Sequence, residues 1–181
     1  MKFHNVRSSF FSCSRLKFRL HKYEKCASGT GHTRYGNNNV YGHDNQLNHF
    51  IWSSIHNAKE SAFFRFYCCL IKFRRSNEAL GKTHFLSNEC VTWHCDDWDH
   101  FESKYVGFTL HSTTHGDLFI AFNAHDYSLN ITLPTPREGK QWYRIVDTYL
   151  PSPDDFSEKG AKITHAEYDF KEFSSIILRA K

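Results

Sequence analysis

The sequence predicts a mainly β protein: an antiparallel β-sandwich preceded by a loop and one amphipathic helix. Two observations carry this reading. Between residues 58 and 76 the apolar side chains recur at helical spacing, and from residue 88 onward the period changes to two. Beyond that point the apolar runs are short. Turns bearing Gly, Pro and Asp separate them and no helix intervenes, the pattern of a sandwich.

Taken in chain order, residues 1–30 come first and stand apart by charge. They hold seven Lys/Arg against the single Glu24, which leaves the remainder of a chain of net charge +4 slightly acidic. The segment is Ser- and Arg-rich, and charges interrupt every apolar run, so it has no secretory h-region. We expect it to be disordered. Two readings of its origin stay open: a transit-like leader, and a start unrelated to the rest of the chain.

Residues 31–52 (GHTRYGNNNVYGHDNQLNHFIW) are rich in Asn, Gly and His, residues that favour turns, so this stretch is expected to be loop. A loop of this length in a compact domain is usually functional. Asn37, Asn38 and Asn39 beside Tyr35, Tyr41 and Trp52 offer planar donors and acceptors next to aromatic faces, which suits hydroxyl-rich sugar rings. A plain turn reading of the same residues is equally open.

The helix is expected over 58–76. Asn57 and Glu60 fit an N-cap and the acid of a capping box. Phe63, Phe66, Tyr67, Leu70, Ile71 and Phe73 fall within about half the helix circumference, with Ser61, Arg65 and Lys72 opposite. Arg74 and Arg75 place positive charge in the last turn, where the helix dipole favours it. Strands are expected over 91–94, 105–110, 118–123, 129–133, 142–146, 167–170 and 174–178. In the fourth, Leu129, Ile131 and Leu133 alternate with Asn130 and Thr132, as in a half-buried strand.

Composition narrows the function. No apolar run is long enough for a transmembrane helix, so no membrane partner is expected. The basic residues gather at the N-terminus and no motif organises them, so no nucleic-acid partner is expected either. Six cysteines lie at 13, 26, 68, 69, 90 and 95 without a C-x-x-C, which points to reduced thiols rather than a disulfide framework. The run Trp93-His94-Cys95-Asp96-Asp97-Trp98-Asp99-His100 matches no metal-ligand spacing, and an inter-strand turn is the better reading. No metal or other cofactor is expected. The 13 histidines read as solvated by default, and so do the acid pairs Asp96/Asp97 and Asp154/Asp155. Adjacent acids in a turn cannot span a glycosidic bond, and no G-x-S-x-G or phosphate loop is present, so no motif carries complete catalysis.

Several stretches together resemble one family. GHTRYGNNNVYGHDNQLNHFIW, FFRFYCCLIKFRRSNEALGKTHFLSNECVTWHCDDWDHFESKYVGFTLHS, GDLFIAFNAHDYSLNITLPTP, GKQWYRIVDTYLPSPDDF and EFSSIILRAK look like the C-terminal part of plant plastid isoamylases of the third-isoform type. These are starch-debranching enzymes of the α-amylase superfamily. The resemblance covers about 31–181. It implies that 31–80 is the remnant of the last loop and helix of a (β/α)8 barrel, and that 81–181 is the C-terminal β-sandwich. It also implies a branched α-glucan as partner, a plastid location, and a cleft lining formed by Tyr35, Asn37, Asn38, Asn39, Tyr41, His43 and Asp44.

The sequence departs from the family where Cys26-Ala27-Ser28-Gly29-Thr30 stands in place of the Gly-Asp-Glu-Tyr-type stretch before Gly-His-Thr-Arg. The family hydrolyses α-1,6 branch linkages with retention, through a nucleophilic carboxylate, an acid/base carboxylate and a stabilising carboxylate. None of the three can be assigned here, so the chain is expected to be a C-terminal fragment, inactive alone. The alternative is a non-catalytic carbohydrate- or subunit-binding sandwich module.

Overall fold

A computed structural model describes residues 49, 52–82, 86–94, 102–137 and 139–181. The chain divides into two units, 1–65 and 66–181. The described part of the first holds a 3-10 turn, Trp52–His56, and the start of helix α1, Ala58–Arg75, which continues into the second. Asn57 caps this helix as expected, its Oδ1 accepting from the Lys59 N–H at 3.1 Å. The predicted tyrosine- and asparagine-rich loop residues lie outside the described residues.

The second unit is mainly antiparallel β with the helix on one side. Its strands are β1 (Val91–His94), β2 (Tyr105–Leu110), β3 (Leu118–Asn123), β4 (Leu129–Thr132), β5 (Trp142–Asp147), β6 (Phe156–Lys162), β7 (Glu167–Phe170) and β8 (Ser174–Ala180). Six form one sheet in the order β1-β2-β3-β8-β5-β6, and β4 pairs with β7 in a second. Every pairing is antiparallel. Seven strands agree with the sequence reading within two residues at either end, and β6 is an addition to it.

The alternation within β3 and β8 builds two cores from one sheet. Phe119 and Ala121 of β3, with Ile176, Leu178 and Ala180 of β8, face the small sheet and pack with Ile131, Leu133, Tyr168 and Phe170. This is the sandwich core. Leu118, Ile120 and Phe122 point the other way and join Phe108, Leu110, Ile145 and Val146 in a core that also contains Phe66 and Phe73 of α1. All six residues of β3 are therefore buried, which explains why Leu118-Phe119-Ile120-Ala121-Phe122 reads as an unbroken apolar run rather than an alternation.

In β5 the register shifts between Arg144 and Val146. The bulge turns the consecutive Ile145 and Val146 to the same helix-side core. Of the predicted apolar helix face, Phe63, Phe66 and Phe73 are buried and Tyr67 and Leu70 half-buried, whereas Ile71 is 56% exposed. Ile71 stands with exposed Cys68 and Arg75 on the outward side. Among the described residues no helix is long and apolar enough to cross a membrane.

Candidate functional site

The sequence-derived cleft residues Tyr35, Asn37, Asn38, Asn39, Tyr41, His43 and Asp44 all lie outside the described residues, as do residues 95–100 of the Trp/His/Asp run. The described residues instead carry three polar constellations, each placed by the sheet.

The first joins α1 to β8. Asn77, almost wholly buried, donates from Nδ2 to the Phe73 carbonyl, and Ser76 Oγ donates to the same oxygen at 3.1 Å. The two side chains thus satisfy a carbonyl that the end of the helix leaves open. Asn77 Oδ1 accepts from Arg179 Nη2 at 2.8 Å, and the Arg179 guanidinium lies 4.9 Å from the centroid of the Phe73 ring. Arg179 reaches the helix because it shares a row of β8 with Ile177, the row that faces the helix-side core. Burial lowers its pKa, and the Glu158 charge works in the opposite direction.

The second lies at the β2–β3 connection. Asp117 is buried and accepts from Arg137 Nε at 2.9 Å, from the Ser112 N–H at 3.0 Å and from His111 Nδ1 at 3.2 Å. His111 Nε2 meets Thr92 Oγ1 at 2.8 Å, and His94 Nε2 meets Thr109 Oγ1 at 2.8 Å. Gly116, with φ +81, leaves the Ala180 carbonyl 2.0 Å from where a Cβ would stand, so only glycine fits the turn that delivers Asp117. The third is the Tyr168 hydroxyl, which donates to Asp147 Oδ2 at 2.7 Å between the two sheets. Burial first, then the Asp147 charge, pushes the phenol well above its ordinary range.

Two expectations are corrected here. His94, His111 and His125 are built into hydrogen-bonded positions rather than left in solvent. Asp155 is fully buried, not a solvated turn acid, because its backbone closes the Pro151–Asp155 turn under β5. Sequence reasoning also missed Asn77 and Arg179. Their only local signal is a polar residue at the helix end and a charge interrupting an apolar strand. The three constellations hold elements together, and none presents a pair of carboxylates across a cleft, the arrangement that glycoside hydrolysis needs. Among the described residues no three His, Cys, Asp or Glu side chains converge as metal ligands. The described cysteines Cys68, Cys69 and Cys90 are free thiols.

The fold places the domain in a class. It overlays pullulanase from Bacillus acidopullulyticus with a TM-score of 0.60 at 20% identity, over 83% of this chain and 17% of that one. The pullulanase from Anoxybacillus sp. LM18-11, solved with maltotetraose, overlays with a TM-score of 0.57 at 14% identity, again over 83% of this chain. The architecture is a fold that these pullulanases contain.

Within that class, residues 92–178 match the family described as isoamylase 1–3, C-terminal. The chain carries an isoamylase C-terminal domain. It is 46% identical over 152 residues to isoamylase 3, chloroplastic, of Oryza sativa subsp. japonica, and 39% identical over 130 residues to isoamylase 1, chloroplastic, of Arabidopsis thaliana. Those stretches cover 83% and 69% of this chain but only 19% and 16% of the two relatives.

Proposed function

We propose that the chain serves as the C-terminal region of an isoamylase-type enzyme that debranches starch-like α-glucans in plastids. In this role the sandwich braces the last helix of a (β/α)8 barrel and contributes no catalytic carboxylate. On this reading residues 31–80 correspond to the final barrel loop and helix, and residues 81–181 to the sandwich.

The observation that carries the reading is the seam between α1 and the six-stranded sheet. Phe66 and Phe73 share a core with β2, β3 and β5, while Cys68, Ile71 and Arg75 face outward. A helix that uses one side for the sheet and keeps an exposed Ile71 on the other has a second face free for a barrel. The loop residues Tyr35, Asn37, Asn38, Asn39, Tyr41, His43 and Asp44 would line the glucan cleft at the end of that barrel, supplying amides and aromatic faces to sugar hydroxyls and rings. The plastid location follows the two plant relatives, both described as chloroplastic.

The chain by itself is expected to leave α-1,6 linkages intact, because retaining hydrolysis needs two carboxylates about 5 Å apart across the bond. Purified protein incubated with amylopectin should release no more reducing ends than a heat-inactivated control. Release above that control would place catalytic groups within these residues and overturn the reading.

A further inference from the structure

We propose that the end of the sandwich formed by the β3–β4 and β7–β8 turns is a surface site for an α-glucan chain, with Tyr127 as the platform for one glucose ring. The choice of glucan as ligand rests on the function proposed above; the site itself rests on its construction.

Tyr127 is 54% exposed, yet its ring is held: it stacks on His125 with centroids 4.5 Å apart and planes tilted by 37°. His125 in turn is fixed on every side. Its N–H donates to Asn123 Oδ1 at 3.0 Å, its carbonyl accepts from the Phe173 N–H at 3.1 Å, and its Nε2 accepts from the Lys104 N–H at 3.1 Å. The fully buried Asn123 then ties the two turns together, the two hydrogens of its Nδ2 shared among the carbonyls of Tyr127 at 3.0 Å, Lys171 at 3.0 Å and Phe170 at 3.3 Å. Phe173, at φ 45, holds the second turn in the left-handed region, which a bulky residue adopts only when its surroundings force it.

The outcome is an aromatic ring held against an imidazole on a residue that is 54% exposed. An exposed, pre-ordered ring gains from an apolar cover at little entropic cost. The same two turns carry polar groups: the Ser128 hydroxyl donates to Glu172 Oε2 at 3.0 Å, and Lys171 pairs with Asp169. A pyranose matches this composition, since its C–H face covers a ring while its equatorial hydroxyls reach carboxylate, hydroxyl and ammonium partners.

Affinity electrophoresis of the full chain in gels with and without amylopectin tests the site, with maltoheptaose as competitor. The wild-type chain should be retarded by amylopectin and released by maltoheptaose. Tyr127→Ala should weaken that retardation roughly tenfold with an unchanged melting temperature, Tyr127→Phe should keep it, and Glu172→Gln should weaken it without disturbing the fold. A wild-type chain that runs unretarded overturns the site. Tyr127→Ala and Glu172→Gln variants both retarded like wild type overturn it as well and move glucan binding to another surface. Neither result touches the bracing role, which the activity of a chimeric enzyme decides separately.

Discussion

Asn77 and Arg179 make the strongest residue-level claim, because Asn77 is buried, Arg179 is half-buried, and the amide oxygen of the one accepts from the guanidinium of the other. Replacing Asn77 by Ala strands a guanidinium donor and opens the Phe73 carbonyl at the helix end. An unsatisfied buried group costs about 1–3 kcal/mol, so Asn77→Ala should lower the unfolding free energy by that amount in urea titration. If the pair acts as described, a double-mutant cycle with Arg179→Met should return a coupling above about 0.5 kcal/mol. Additive losses would mean that the two side chains act independently.

His94 supplies a pH dependence. Burial, and secondarily the nearby His111, lower its pKa below the ordinary imidazole value. The unfolded chain therefore takes up this proton at a higher pH than the folded one. Stability contributed here is present above about pH 6.5 and falls as the pH drops towards the folded-state value. His94→Gln, which keeps a partner for Thr109, should flatten the loss of melting temperature between about pH 7 and about pH 5. An identical slope in wild type and variant would remove His94 from the account.

At the scale of elements, the helix and the central strand share one core, so truncations in either should cost alike. Phe73→Ala should destabilise by about 3–5 kcal/mol and Ile120→Ala by about 2–5 kcal/mol. Ile71→Ser, on the outward face of the same helix, should stay within about 0.5 kcal/mol of wild type. Denaturant midpoints of the three variants check this; equal losses at Ile71 and Phe73 would show that the helix is not docked by the face described.

The same elements show how far sequence reaches. The 3.6 period of 58–76 and the alternation of Leu129, Ile131 and Leu133 were sufficient for α1 and β4, because each presents one face to a core and the other to solvent. β6 (Phe156–Lys162) escaped because it is an edge strand with no fully buried residue, and Gly160 takes φ +75 within it. Its residues are chosen for solvent and for guarding an edge, and such a choice resembles a loop. The Arg179–Asn77 seam was illegible for another reason: the partners are 102 residues apart, and only the strand order of the sheet brings them together. The buried Asp155 belongs to the same class, since a pair of adjacent acids gives no local sign of which one turns inward.

At the scale of the molecule, the family was legible as a resemblance running through loop, helix and strands in order, and the matched C-terminal domain and plant relatives agree with it. The sugar-binding role proposed for residues 35–44 rests on composition and resemblance alone, because these residues lie outside the described ones. The central claim is that this region is a non-catalytic brace whose seam with the last helix supports an isoamylase barrel. The most direct measurement is the debranching activity of rice isoamylase 3 in which residues 58–181 of this chain replace the matching C-terminal segment. The account predicts a folded chimera that releases reducing ends from amylopectin, with activity lost on adding Phe73→Ala. A folded chimera that releases none, under conditions where the rice enzyme is active, would contradict it.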